Sequence, residues 1–157
     1  MWKHRENNSD KIISLHDCRA TRMIVESDSL FLEYEDGFWC LPTNKNNSSD
    51  NAFRTDLSQI EISKFEIQNI YLFNEKRLFG RLISTKRIDI SLEMLTQKIN
   101  SGQWQLEFLY EYHGFNEVLY HCWIWMNKKP YHKECQITIM YNDIKYLWNN
   151  ICEDKPW

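Results

Sequence analysis

The stretch WQLEFLYEYHGFNEVLYHCWIWMNKKPYHKECQITIMY, residues 104–141, decides the fold of this chain. It contains three runs: in the first and the third, apolar and polar side chains alternate, whereas the middle run, residues 118–126, is apolar on both faces. Turn-forming residues separate these runs, first around Gly114 and then at residues 127–130. Alternation with a period of two is typical of a strand that is buried on one face only. The stretch therefore predicts three consecutive antiparallel strands.

The pairing of the second and third strands follows from the length of the loop between them. A four-residue loop at residues 127–130 places Cys122 opposite Cys135 and Tyr120 opposite Ile137. Because side chains alternate between the two faces of a strand, these four side chains then point to the same face. We expect that face to be the core.

The first strand presents five large apolar side chains on one face, which we expect to join the same core: Trp104, Leu106, Phe108, Tyr110 and Tyr112. The turn at residues 113–115 must then contain an odd number of residues. A two-residue turn would instead bury the carboxylates of Glu107 and Glu111, at a cost of several kcal/mol. We therefore expect a three-residue turn with a bulge, in which Gly114 takes a left-handed conformation.

This register gathers the main candidate site on the face turned away from the core. Two tryptophans, two histidines and several carboxylates share it, and such a set is unusual on an outward face: Glu107, Glu111, His121, Trp123, Trp125, His132 and Glu134. One interpretation is that a second layer of the protein covers the tryptophans. The other is that these residues form a binding surface or the mouth of a pocket.

Elsewhere the sequence predicts further strands and two helices. Strands are expected at residues 11–16, 19–26, 29–35 and 38–41, and again across 52–84, where residues 77–84 fold back through a turn at 74–76. Residues 91–100 have helical spacing, with Ser91 as N-cap and Gly102 as the stop, and an apolar stripe predicts a C-terminal helix at 142–152. The fold class is α+β, a predominantly antiparallel domain of about eight or nine strands, barrel-like or a sandwich.

The length and composition indicate one domain, residues 1–157. The chain has 43% hydrophobic and 15% aromatic residues and a net charge of −3, which is far from a disordered composition. Residues 42–50 are rich in Asn and Ser and predict an exposed loop. Without an apolar N-terminal leader or a long apolar run, we expect a cytoplasmic protein with no membrane partner. The acidic balance also predicts no nucleic-acid partner.

Metal and catalytic motifs are weak in this sequence. His132 and Cys135 are three residues apart on a strand, so they point to opposite faces and cannot share a metal ion. No phosphate-binding or nucleophile motif is present, and we expect no metal and no cofactor. His16 and Asp17 form a secondary candidate, either as part of a polar site at a sheet rim or as ordinary partners of nearby backbone groups.

These observations favour a non-enzymatic protein that binds a protein partner, by analogy with inhibitors and immunity proteins. The first alternative is a small-molecule carrier with an aromatic-lined pocket. The second is a hydrolase-like enzyme that uses His121, His132 and Glu134. The aromatic outer face is also compatible with a homodimer.

Overall fold

The computed structural model describes residues 1–7 and 11–157, and within them it is predominantly antiparallel β with one helix, α1 (Leu92–Asn100). The β-rich class is confirmed, whereas the expected eight or nine strands and second helix are wrong. The described strands are β1 (His4–Glu6), β2 (Ile13–Ser14), β3 (Cys18–Ala20), β4 (Arg22–Glu26), β5 (Ser29–Tyr34), β6 (Trp39–Cys40), β7 (Phe53–Thr55), β8 (Ser58–Ser63), β9 (Glu66–Leu78), β10 (Arg81–Asp89), β11 (Trp104–His113), β12 (Glu117–Met126), β13 (His132–Met140), β14 (Asp143–Trp148) and β15 (Ile151–Pro156).

Within the described residues these strands form three sheets. The six-stranded sheet has the order β10–β9–β13–β12–β11–β3, and the five-stranded sheet has the order β1–β14–β8–β5–β4. A sheet of four short strands has the order β15–β7–β6–β2. Each sheet is open at both ends of its strand order, so the expectation of a barrel is wrong.

One hydrophobic core joins the two larger sheets. The ring of Tyr34 on β5 lies 5.7 Å from that of Phe108 on β11. Phe38, between β5 and β6, packs edge-on against Tyr146 at 5.7 Å and Trp148 at 5.9 Å. Aromatic pairs in such geometry contribute about 0.5–1.5 kcal/mol beyond the burial of their area. Much of the aromatic content therefore stabilises the interior.

The predicted register of β12 and β13 is confirmed. Cys122 pairs with Cys135, and Tyr120 pairs with Ile137. All four side chains are buried. The alternation of the sequence was sufficient here because a shift of one residue would expose every one of these side chains.

The register of β11 departs from the expectation at Leu109. Phe108 pairs with Cys122, but Tyr110 pairs with His121, so Leu109 is an extra residue in a β-bulge. The faces exchange beyond it. Tyr110 and Tyr112, expected in the core, are 52% and 57% exposed, whereas Glu111, expected on the outer face, has a side chain only 14% exposed.

The turn between β11 and β12 differs from the expectation for the same reason. His113 pairs with Val118, so four residues, 114–117, lie between the last paired residues, an even number instead of the expected odd one. The one extra residue that burial of both strands in the core requires is Leu109, and it lies within β11 instead of in the turn. Asn116, with φ 53°, takes the left-handed conformation that was expected of Gly114.

The helix predicted at residues 91–100 is confirmed. The Ser91 side chain accepts a hydrogen bond from the Met94 N–H at 3.1 Å, as an N-cap does. Gly102 follows the helix with φ 70°, a conformation that glycine adopts without strain. Leu95 and Ile99 are buried against the core.

The helix predicted at residues 142–152 is wrong, because this segment forms β14 and the start of β15. Its apolar stripe also contains a period of two, and Ile144, Tyr146 and Trp148 all point into the core. Pairing with β8 on one side and β1 on the other satisfies both edges of β14. Tertiary pairing therefore overrides the helical spacing, as it often does for short apolar runs.

The hairpin of β9 and β10 is longer than predicted. Its turn lies at Phe79 and Gly80, with Leu78 opposite Arg81, instead of at residues 74–76. Residues 42–50 contain no helix or strand and are mostly exposed, but Asn44 and Asn47 are buried. No helix in the described residues is long and apolar enough to cross a bilayer.

Candidate functional site

The main candidate residues lie together on the outer face of the six-stranded sheet. Glu134 pairs opposite Trp123, and His132 pairs opposite Trp125. Across the neighbouring strands Glu107 pairs with both Trp123 and Arg19. This surface is termed the aromatic face, and its members are Tyr110, His121, Trp123, Trp125, His132, Arg19, Glu107 and Glu134.

The alternation of β12 explains why three of these side chains point outward. Cys122 and Ile124 are buried in the core, so His121, Trp123 and Trp125 must point to the opposite face. All three are half-buried, while His132 and Tyr110 are exposed. A second layer that fully covers the tryptophans does not fit this pattern.

One end of the aromatic face carries an imidazole–carboxylate pair. His121 Nε2 lies 3.0 Å from Glu134 Oε1, with side chains 26% and 32% exposed. The ring of Tyr110 lies 5.9 Å from that of His121. A carboxylate at this distance can orient the imidazole ring.

The other end is built from stacked rings and one cation. The His132 ring lies 4.8 Å from Trp123 and 5.2 Å from Trp125. The Arg19 guanidinium lies 4.7 Å from the centre of the Trp125 ring, and its Nε donates to Glu107 at 2.5 Å. Glu107 is thus buried with its charge paired. His132 packs against the indoles, and the catalytic grouping of His121, His132 and Glu134 is only partly assembled.

The secondary candidate lies beside the bulge. His16 Nδ1 lies 2.7 Å from the backbone oxygen of Leu109, and the Asp17 N–H donates to the Phe108 oxygen at 2.8 Å. His16 also lies 5.9 Å from Tyr110. These contacts satisfy backbone groups at the bulge, and Tyr110 connects this pair to the aromatic face.

A groove of about 610 Å³ adjoins the aromatic face. Trp123, His132 and Glu134 line one side of it, and Phe73 and Arg77 of β9 line the other. The aromatic face is therefore continuous with the base of the long hairpin.

A second concavity, a cleft of about 640 Å³, opens where the two larger sheets separate. The Glu111 carboxylate lies in it and accepts a hydrogen bond from the Tyr146 hydroxyl at 2.9 Å. His113 Nε2 lies 3.5 Å from the same carboxylate. Leu15 and Ile144 supply part of the apolar lining, and His16 lies at one side.

The cysteines do not form a reactive site. All five are free thiols, and four of them are buried. Burial raises the pKa of Cys18 and of Cys135 to about 12, so both thiols are neutral at physiological pH. Among the described residues no group of three or more His, Cys, Asp or Glu side chains is placed to hold a metal ion.

Sequence reasoning missed Tyr110 and Arg19 as members of the aromatic face. Tyr110 was assigned to the core because the bulge at Leu109 leaves no local signal. The contact of Arg19 with Trp125 depends on the pairing of β3 with β11, which are more than eighty residues apart.

Comparisons of the chain with known proteins found no match. No protein-family model, no curated protein and no solved structure matches this chain.

Proposed function

We propose that this protein is a non-enzymatic binding module that recognises a protein partner through the aromatic face, in the manner of an inhibitor or accessory protein. The observation that carries the proposal is the exposure of Tyr110 and His132 beside two half-buried tryptophans on an outward sheet face. Trp, Tyr and Arg are the residues most enriched among those that dominate protein interfaces.

The charges on the aromatic face support recognition by contact more than by long-range attraction. Arg19 pairs with Glu107, and Glu134 pairs with His121 when the imidazole is protonated. The face is therefore close to neutral, and the exposed parts of its indole and phenol rings can contact apolar and arginine side chains of a different protein. A standard interface covers about 800 Å² on each partner, so the aromatic face would form its centre, with polar residues around it.

Native mass spectrometry of the untagged protein, purified from its own host, tests this proposal. We expect a stoichiometric protein partner with the unchanged chain. Trp123→Ala should weaken this complex at least tenfold, since a central interface tryptophan contributes about 2 kcal/mol or more. Phe115→Ala is the matched control because Phe115 is 94% exposed at a turn outside the aromatic face.

The outcome separates the proposal from its alternatives. If Trp123→Ala unfolds the chain, as judged by circular dichroism, Trp123 is a core residue and the proposal loses its basis. A bare monomer, or equal loss of partner in both variants, also contradicts it. A bare dimer would mean that the aromatic face is buried against a second copy.

The cleft favours a second candidate function, that of a small-molecule carrier. Its volume of about 640 Å³ lies in the usual range for ligand pockets. A ligand that suits it carries an apolar body and a basic group, because two carboxylates, Glu111 and Asp143, line the cleft with one lysine, Lys11. Tyr146 holds the Glu111 carboxylate in place. A stoichiometric small-molecule mass increment that disappears in Glu111→Gln would favour this function over protein binding.

A further inference from the structure

The hairpin of β9 and β10 extends beyond the rest of the fold. Pairing of β9 with β13 ends at Leu72, whereas pairing with β10 continues to Leu78 and Arg81. Residues 74–87 are termed the arm. At about 3.3 Å per residue, the arm reaches about 16 Å from residue 74 to its apex at Phe79. Every side chain from residue 75 to residue 87 is exposed.

The arm is strongly basic, although the chain as a whole is acidic. It contains five of the 19 Lys and Arg residues and one of the 22 Asp and Glu residues, so its net charge is +4. The rest of the chain then carries −7, given the total of −3. The basic residues are Lys76, Arg77, Arg81, Lys86 and Arg87, and Glu75 pairs with Arg77 at 2.7 Å.

The apex of the arm is apolar. Phe79 is 97% exposed, and Leu78, Leu82 and Ile83 are each more than half exposed. Apolar side chains grouped in this way on a soluble surface usually mark an interaction site. On the arm they project from the tip of a two-stranded ribbon.

The turn at the apex carries a residue that its backbone does not favour. Phe79 and Gly80 have φ 50° and 80°, and Leu78 pairs with Arg81, which defines a two-residue turn with positive φ at both central positions. Such turns prefer Asn-Gly or Gly-Gly, and a bulky residue is unfavourable at the first position. The sequence therefore keeps a large apolar side chain at the apex at the expense of turn stability.

From these observations we infer that the arm docks the protein onto an anionic membrane surface. Phe79 and its apolar neighbours enter the boundary between headgroups and acyl chains, and the basic residues nearest the apex, Arg77 and Arg81, contact anionic headgroups. Lys76, Lys86 and Arg87 lie farther from the apex and add to the attraction through their charge. The side chains of Arg77 and Arg81, next to the apex, extend along the ribbon and place their guanidinium groups at headgroup level. The same surface repels the acidic remainder of the chain, so the arm alone touches it.

The shape of the arm favours a membrane over a nucleic acid or an acidic protein. A fluid bilayer accepts apolar side chains that project from both faces of a ribbon, whereas a protein partner must supply a shaped pocket. A nucleic-acid ligand would use the cations for its phosphates and could stack a base on Phe79, but it would leave Leu78, Leu82 and Ile83 exposed to water. The expectation of no membrane partner rested on the lack of an apolar N-terminal leader and of a long apolar run. Neither criterion detects a short basic arm with an apolar apex.

Vesicle sedimentation tests the inference with the full-length chain. Vesicles with roughly one third phosphatidylglycerol should bind the protein, and pure phosphatidylcholine vesicles should bind it at least tenfold more weakly, since each basic residue near an anionic surface adds to the attraction. Phe79→Asn should reduce binding to the anionic vesicles about tenfold or more. This substitution creates a favoured turn sequence, so loss of binding cannot be attributed to a misfolded arm.

Phe115→Asn is the matched control, because Phe115 is equally exposed at a different hairpin turn. It should bind anionic vesicles like the unchanged protein. Equal binding to both kinds of vesicle, or no binding, overturns the inference. Loss of binding in Arg81→Gln with unchanged binding in Phe79→Asn also overturns it, because the arm would then recognise anions in general, as a nucleic-acid ligand requires. None of these results affects the proposal for the aromatic face, which Trp123→Ala tests separately.

Discussion

In the observed register of β11 the Glu111 side chain points inward, whereas the expected register would place it on the outer face. A double-mutant cycle of Glu111 and Tyr146 tests this orientation. The Tyr146 hydroxyl donates to Glu111 Oε1 at 2.9 Å, and the Tyr146 side chain is buried. Tyr146→Phe removes this donor and leaves the carboxylate in the cleft without it. Glu111→Leu removes the acceptor and fills the same space with an apolar side chain.

The magnitude follows from the geometry of this contact. A hydrogen bond to a charged group contributes about 1.5–3 kcal/mol to the free energy of unfolding. The Glu111 side chain is only 14% exposed, so solvent replaces the lost donor incompletely. We therefore expect Tyr146→Phe to lower the free energy of unfolding by about 2 kcal/mol. In the Glu111→Leu background the same change should be neutral or stabilising, because it then removes an unpartnered hydroxyl.

Guanidinium denaturation of the four proteins in the cycle measures the coupling energy. An unchanged denaturant slope will show that only stability, not the extent of unfolding, differs among them. If Glu111 pointed to solvent, as a continuous alternation in β11 requires, its substitution would change stability by less than about 0.5 kcal/mol. A coupling energy below about 0.5 kcal/mol would therefore refute the bulge at Leu109 and the orientation that it produces.

Two further predictions concern the core and its edge. Burial raises the pKa of Cys122 well above the ordinary value of 9.0 for a thiol and that of Cys135 to about 12, so stability from these neutral thiols is full below pH 9 and falls as the pH rises toward 12. In urea titrations the free energy of unfolding should be lower at about pH 10 than at about pH 8 by about 1.4 kcal/mol per thiol, since only the interval above pH 9 contributes, and equal stability would contradict this. The Asn100 side chain accepts a hydrogen bond from the Met23 N–H at 2.9 Å and donates one to the Met23 carbonyl at 2.7 Å. Asn100→Ala should therefore lower the free energy of unfolding by about 2 kcal/mol, measured by thermal unfolding. A change confined to the helicity of α1 would contradict this prediction.

Much of the central sheet could be predicted because burial leaves a periodic pattern in the sequence. The pairing of Cys122 with Cys135 depends only on alternation and on a short loop, and both are local. The helix of residues 92–100 is equally local, since Ser91 and Gly102 define its ends. In these segments a single period fits the residues, and no distant partner is needed to choose it.

The segment at residues 142–152 could not be assigned in this way. Ile144, Leu147 and Trp148 fit a helix, while Ile144, Tyr146 and Trp148 fit a strand. Only the presence of β8 and β1 on either side decides between them, because those strands supply the backbone hydrogen bonds that β14 needs. The spacing of apolar residues along the sequence contains no information about such partner strands.

At the candidate site, strand alternation and the burial of neighbouring residues are sufficient to predict one shared outward face. Its predicted members are His121, Trp123, Trp125, His132 and Glu134. Only the tertiary structure decided that Tyr110 joins them and that Glu111 turns inward. To bury the apolar faces of β11 and β12 together, the chain needs one extra residue between their paired positions, but the sequence does not show where that residue lies. In the structure it is Leu109, within the strand, and the contacts of Leu109 with His16 and of Glu111 with Tyr146 accompany this placement. Distant contacts of this kind form only when the chain has folded, so no local pattern encodes them.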